Sequence, residues 1–249
     1  MDVVTLSTVL ALCAGAGLLH GLCGIGFPMI ATAVLATVMP FQQAVLLVWL
    51  PTLLVNLASV FSGSPVVQMM RRYAALAISS FIGSLFGAAL LLVMSSTHLQ
   101  LLLGVMIVLY VALTLSKPHW HLRDSLPLSI GFGVAAGVVG GATNAMSPLL
   151  MMYLLATVRS RNEIVQAANV CFLIGKVAQF LVLGTQFLRL SQGEIVLMAW
   201  ITVLSLSCLV LGIKMRHRLS PRFFRGLVLV VLSVLAVKSL VGAAHSMVA

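Results

Sequence analysis

Long stretches of this chain carry no charge, and that constrains its fold more than any other feature. From Tyr73 to Ser116 there is no Asp, Glu, Lys or Arg. A helix needs about 20 predominantly apolar residues to cross a bilayer, and this stretch can supply two. Of 249 residues, 61% are hydrophobic and only 7% charged, with a mean hydropathy of +1.19. Soluble domains carry roughly 25% charged residues. So little charge cannot cover a water-exposed surface, so the solvent for most of the chain is lipid. The net charge of +10 does not point to nucleic acid. The basic residues sit in short loops between apolar runs and form no basic helix face. In membrane proteins such an excess marks cytoplasmic loops.

The runs fall at about 3–22, 27–39, 41–61, 73–95, 98–116, 127–143, 146–158, 164–187, 195–213 and 226–243. The first is read as a retained helix, because no basic segment precedes it as in a signal peptide. The runs 27–39 and 146–158 are too short to span: at 1.5 Å per residue each covers roughly 20 Å of a core about 30 Å thick. As tails of the preceding helices they leave eight spans, and as separate segments they make ten. Charge asymmetry decides between the two. Ten segments put Arg71, Arg72, Lys117, Arg123, Arg159, Arg161, Lys214, Arg216, Arg218, Arg222 and Arg225 on one face and Arg189 alone on the other. Eight segments split them almost evenly, which the positive-inside rule disfavours.

The chain also repeats itself. Shifted by 120 positions, Gly17, Gly21 and Pro28 meet Gly137, Gly141 and Pro148, and Leu35–Val38 meets the same four residue types at Leu155–Val158. Beyond a loop three residues longer, Gln43 meets Gln166 and Asn56 meets Gln179. Five segments per repeat is an odd number, so the second half enters the membrane from the opposite side. The expected fold is an all-α integral membrane protein of eight long and two short, broken helices in two inverted repeats. Residues 1–116 form the first repeat, 117–126 a cytoplasmic connection and 127–249 the second repeat. Inverted repeats are a recurrent transporter plan, with the site at the midplane between broken helices.

Two breaks mark that place. One contains His20, Gly21, Cys23, Gly24, Gly26 and Pro28, the other Gly141, Thr143, Asn144, Ser147 and Pro148. Glycine permits positive φ and close backbone approach, and proline suits the start of a new helix. Both short helices should therefore begin inside the membrane, where their unpaired N–H groups and positive dipole ends can hold an anion without a metal. Gly17, Gly21, Gly137 and Gly141 could equally serve close helix packing. His20 is either a proton-sensitive group or a hydrogen-bonded histidine at a break.

Lys176 lies midway along the otherwise uncharged run 164–187, too deep to snorkel, and a charge at that depth is costly and a functional candidate. It can supply the positive charge for an anion. Asn56, Asn169 and Gln179 are polar residues in apolar helices, available to substrate or to neighbouring helices. No Asp or Glu occupies the middle of any run, which excludes carboxylate proton relays and hard-cation sites. No metal or other cofactor is called for: Cys13, Cys23, Cys171 and Cys208 form no paired motif. No nucleophile or phosphate-binding motif argues for an enzyme.

The stretches 17–35 with 42–51, and 137–155 with 161–173, resemble the sulfite exporter TauE/SafE family over about residues 10–243. Ala142, Ala145 and Met146 stand where a glycine-richer break is typical. The resemblance implies transport of sulfur-containing anions such as sulfite, sulfonates or sulfoacetate in a prokaryotic plasma membrane. The residues alone reach a secondary transporter of small anions, with a passive anion channel or a non-transport membrane enzyme or assembly subunit as alternatives. The partners expected are a small anion and membrane lipid, and a homo-oligomer is compatible. Direction of transport, coupling ion and exact substrate stay open at this level. The charge bias makes a topology prediction. A C-terminal alkaline-phosphatase fusion should be active and a C-terminal fluorescent-protein fusion dark, and the reverse would overturn the ten-segment reading or its orientation.

Overall fold

The computed structural model describes residues 2–61, 66–116, 125–158, 160–215 and 221–248. Eleven helices and no strand occur among them: α1 (Val3–Cys23), α2 (Phe27–Leu35), α3 (Phe41–Phe61), α4 (Val66–Arg72), α5 (Ala74–Val93), α6 (Ser96–Ser116), α7 (Leu126–Thr143), α8 (Ser147–Thr157), α9 (Arg161–Phe187), α10 (Gln192–Met215) and α11 (Pro221–Val248). Seven are long and apolar enough to cross a membrane: α1, α3, α5, α6, α7, α9 and α10. The short helix α4 had no counterpart in the apolar runs, because Arg71 and Arg72 end it and no apolar run contains it. The connecting segment 117–124, and Lys117, Arg123, Arg159, Arg216 and Arg218, lie outside the described residues. So do the side chains of Arg222 and Arg225.

Two short helices begin inside the fold, and both breaks are built alike. α1 ends at Gly24, which takes φ +86° and donates its N–H to the His20 carbonyl at 2.6 Å. α7 ends at Asn144, which takes φ +62° and donates to the Gly140 carbonyl at 2.8 Å. This left-handed cap is the ordinary way a helix stops, and glycine and asparagine are the residues that tolerate it. After each cap the chain bends and a proline, Pro28 or Pro148, falls in the first turn of the next helix. With 9 and 11 residues, α2 and α8 are only about 13–17 Å long and cannot span the hydrocarbon core.

Close helix contact holds the bundle together. α5 lies along α7 and α1 along α10, and α6 packs on α11. At the α5–α7 seam a Cβ on Gly83, Gly87, Gly137 or Gly141 would run into the Val134, Val138, Ser80 or Ser84 carbonyl of the facing helix. At the α1–α10 seam Gly17, Gly21 and Gly212 meet the Ser205, Leu209 and Leu18 carbonyls in the same way. In lipid there is no hydrophobic drive between helices. Small residues that let backbones touch, and so gain dispersion contacts, take its place. Gly17, Gly21, Gly137 and Gly141 are thus packing positions.

Side-chain ties define the two ends of the bundle. At one end Gln42 donates to the Met94 carbonyl at 2.9 Å, Ser96 donates to Gln42 at 2.6 Å and Gln100 to the Ala36 carbonyl at 3.2 Å. At the other, Gln166 donates to the Val60 carbonyl at 3.2 Å, and Arg72 pairs with Glu163 at 2.6 Å. Arg71, Arg72 and Arg161 sit at this second end.

Adding a Cβ at the glycine seams should be costly. Gly87→Val is expected to lose about 1–3 kcal/mol through overpacking, read as a lower melting temperature in detergent. Gly131→Ala, whose Cβ would meet nothing within 4 Å, should leave it unchanged.

Candidate functional site

Helix α9 carries polar residues on one stripe: Gln166, Asn169, Lys176 and Gln179 are all buried, at spacings of three, seven and three residues that return to the same helix face. Helix α3 faces it with buried Thr52, Asn56 and Ser59, spaced four and three apart. The two helices run antiparallel. The Trp49 indole donates to the Lys176 carbonyl at 2.9 Å, while Gln166, ten residues earlier on α9, donates to the Val60 carbonyl. Buried polar side chains of both helices thereby share one seam.

Lys176 is 4% exposed. Its ammonium donates to Asn144 Oδ1 at 2.5 Å and to Gln179 Oε1 at 2.6 Å. Both acceptors are neutral, and the one ion pair among the described residues is Arg72–Glu163. An ammonium has three donors, so one N–H remains beyond these two bonds. Asn144 and Gln179 are themselves fixed. Asn144 Nδ2 donates to Thr32 on α2 at 2.8 Å, and Gln179 Nε2 donates to the Gly141 carbonyl at 2.8 Å and to Asn144 Oδ1 at 3.1 Å. The amide at the α7 break therefore ties α2 and α9 together and aims its oxygen at the cation.

Beside Lys176 lies a cavity of about 20 Å³, lined by Pro28, Thr52, Ser84, Gly140, Asn144, Met146, Phe172, Gly175, Lys176 and Gln179. On this measure one water needs about 10–15 Å³, so the cavity has room for about one. Pro28 and Met146 bring the starts of α2 and α8 to its wall, and neither N-cap residue, Gly26 or Met146, caps its helix through a side chain. The Thr52 and Ser84 hydroxyls line it, buried and without hydrogen-bond partners among the described residues, as are both amide atoms of Asn56 one turn along α3. Each such group costs about 1–3 kcal/mol left unpaired. Gly175 keeps the wall thin, because a Cβ there would lie 3.0 Å from Ser84 Oγ.

A second polar cluster sits along the same seam toward Glu163. The Phe27 N–H, at the start of α2, donates to His20 Nδ1 at 3.3 Å. The ring proton is therefore assigned to Nε2, which faces Ser59 Oγ at 3.1 Å, and the Ser59 hydroxyl donates to the Val55 carbonyl at 2.8 Å. Asn169 Nδ2 donates to the Gly24 carbonyl and to the Val165 carbonyl, each at 2.7 Å. His20 thus fills one of the α2 donors expected to be free.

Of the residues singled out from sequence, the structure places Pro28, Asn144, Lys176 and Gln179 at the cavity. Asn56, His20, Gly24 and Asn169 belong to the neighbouring cluster. Ser147 and Pro148 start α8, and Gly26 precedes α2 at φ +110°. Thr143 bonds back to the Val139 carbonyl at 2.7 Å and accepts from Ala145 N–H at 3.3 Å, so it serves the local turn. Gly21 and Gly141 pack helices, although the Gly141 carbonyl receives Gln179. Cys23 is a partly exposed free thiol. Sequence reasoning missed Thr52, Ser84, Thr32 and Trp49. Thr52 was legible as the residue one turn before Asn56, whereas nothing local marks Ser84 or Thr32.

Together these features define a multi-pass helical membrane protein with a cationic, carboxylate-free polar cavity where two short helices begin within the bundle. The chain belongs to the sulfite exporter TauE/SafE family, whose profile matches residues 9–239. That is a family of membrane transporters, and membership suggests sulfur anions as cargo. No curated protein and no solved structure matches the chain.

Removing the cation tests the site. Lys176→Met should weaken anion binding at least about tenfold, the scale of a charge-assisted hydrogen bond. Lys176→Arg should recover only part, because its planar fork is larger. Unchanged affinity in folded Lys176→Met protein would remove Lys176 from the site.

Proposed function

We propose that this protein is a secondary transporter that carries small sulfur oxyanions across a prokaryotic plasma membrane by alternating access. The observation that carries this reading is the Lys176 ammonium, buried against two neutral amide oxygens and facing a cavity with two unpartnered hydroxyls. An anion there would accept from the third Lys176 N–H and from Thr52 and Ser84, and would meet the positive ends of α2 and α8. Charge then selects the cargo. The site has one positive charge and no acid, so a monoanion makes the loaded cavity neutral, the cheapest state to hold in lipid.

The packing supports two inverted repeats, 1–116 and 127–249. Exchange α1, α2, α3, α5 and α6 for α7, α8, α9, α10 and α11. The α1–α10 contact then maps onto α7–α5, α5–α9 onto α10–α3, α1–α2 onto α7–α8 and α6–α8 onto α11–α2. The α3–α9 and α6–α11 contacts map onto themselves. Helix α4 stands outside the exchange. The small cavity supports a carrier over a pore, because its room is about that of one water. Binding then requires the walls to part. The positive-inside rule places the Arg71, Arg72 and Arg161 end in the cytoplasm.

Purified protein in liposomes loaded with unlabelled sulfite should show saturable counterflow of labelled sulfite, competed by sulfonates and not by cations. Unitary currents without saturation would replace the carrier with a channel, and no counterflow of any sulfur oxyanion would overturn the assignment.

A further inference from the structure

The chain has only four acidic residues. Asp2 accepts from the Thr5 N–H at the start of α1, and Asp124 lies outside the described residues. The other two lie in the first turns of helices at opposite ends of the bundle. Glu163, in the first turn of α9, pairs with Arg72 at 2.6 Å and accepts from the Tyr73 hydroxyl at 3.0 Å, which ties the start of α9 to the start of α5. Glu194, in the first turn of α10, accepts from the Gln43 amide and, at 2.6 Å, from the Ser191 hydroxyl, which ties the start of α10 to the start of α3. Under the exchange that relates the two repeats, α5 with α9 becomes α10 with α3. The two ties are therefore equivalents on opposite sides of the membrane.

We propose that Glu163 and Glu194 are the latches of two gates, Glu163 closing the Lys176 cavity at the end where α5 and α9 begin, and Glu194 closing it where α3 and α10 begin. This rests on the transport reading and adds the residues that would confer sidedness. Glu163 lies 13 residues before Lys176, about 20 Å along α9, and Gln43 lies nine residues before Thr52, about 13 Å along α3. Neither latch touches the cavity, and each ties together a helix that lines it with that helix's packing partner. Between Glu163 and the cavity run the polar groups of the seam, including the unpartnered Asn56 amide. Parting the helices there would expose groups that water or an anion can satisfy. Toward Gln43 the seam is stopped by Trp49, Phe180 and Phe187, with ring centroids 5.1–5.8 Å apart. A crevice of about 830 Å³ opens at that end, with Gln43, Leu47 and Glu194 in its lining.

The Arg72–Glu163 tie can break and re-form, because Arg72 is 61% exposed while Glu163 is 16% exposed, so water reaches one side of the pair. Burial, and the Glu163 carboxylate beside it, hold the Tyr73 phenol above its ordinary range, so it stays a donor. With both latches engaged, the cavity keeps room for about one water.

The test uses the full-length protein with Cys13, Cys23, Cys171 and Cys208 replaced and Thr52→Cys as reporter, in vesicles treated with a membrane-impermeant thiol reagent from one side at a time. Glu163→Gln should speed labelling about tenfold from the Arg72 end only, the shift expected when a charged hydrogen bond that favours the closed state is lost. Glu194→Gln should do so from the opposite end only. Tyr73→Phe and Gln43→Leu keep both carboxylates and should act in the same two directions, which serves if a glutamate variant does not fold. Unchanged labelling in folded variants, opening of the same end by both, or opening of both ends by either would overturn the latches. Sulfite counterflow, measured separately with Thr52 intact, distinguishes the two readings. Counterflow with unchanged labelling sinks the latches alone, and one-sided labelling without counterflow sinks the substrate reading alone.

Discussion

The structure turns on one buried ammonium. Lys176 sits where lipid would make a lone charge expensive, and the surrounding chain is arranged to make it tolerable. Asn144 and Gln179 give it two oxygens, and each is oriented by further bonds to Thr32 and to the Gly141 carbonyl. Those bonds require α7 to stop at Asn144, α2 to bring Thr32 within reach and α9 to present Gln179 one turn beyond Lys176. The breaks in the helices and the charge are thus one construction. A carboxylate in place of either amide would neutralise the cation permanently and leave nothing for a passing anion.

The same construction needs close walls. Asn144 reaches Lys176 because α7 lies against α5 along Gly83, Gly87, Gly137 and Gly141, with no side chain between the backbones. Small residues serve twice here: they provide the contact that holds helices together in lipid, and they set the spacing that puts Ser84 and Gly175 on the cavity. Irregular backbone at membrane depth survives because it is buried in protein and its polar groups are satisfied internally. The Gly24 and Asn169 bonds at the first break and the Gln179 bonds at the second do that.

A carrier must be stable shut yet able to open on either side. Rigid apolar packing near the cavity and small polar ties at its two ends divide those tasks. The ties are made by glutamates at the first turns of α9 and α10, where a helix N-terminus favours negative charge. The seam between α3 and α9 keeps an unpaired amide and hydroxyls in reserve, groups whose cost falls once the seam admits polar partners.

Sequence by itself determined the membrane setting and the helical class, because uncharged run length reports directly on what lipid will accept. It also located both breaks, since Gly24, Pro28, Asn144 and Pro148 declare them through backbone preferences that act locally. Lys176 stood out because no other charge lies so deep. Only the tertiary structure decided which polar residues meet it. Thr52 was half-visible through its spacing from Asn56. Ser84, Thr32 and the glutamate ties depend on contacts between residues about 90 to 150 positions apart, and no local pattern encodes a partner at that distance. The glycines show the same limit. Sequence could not separate a cavity glycine from a packing glycine, because the two differ only in what faces the missing Cβ, and that is fixed when the helices come together.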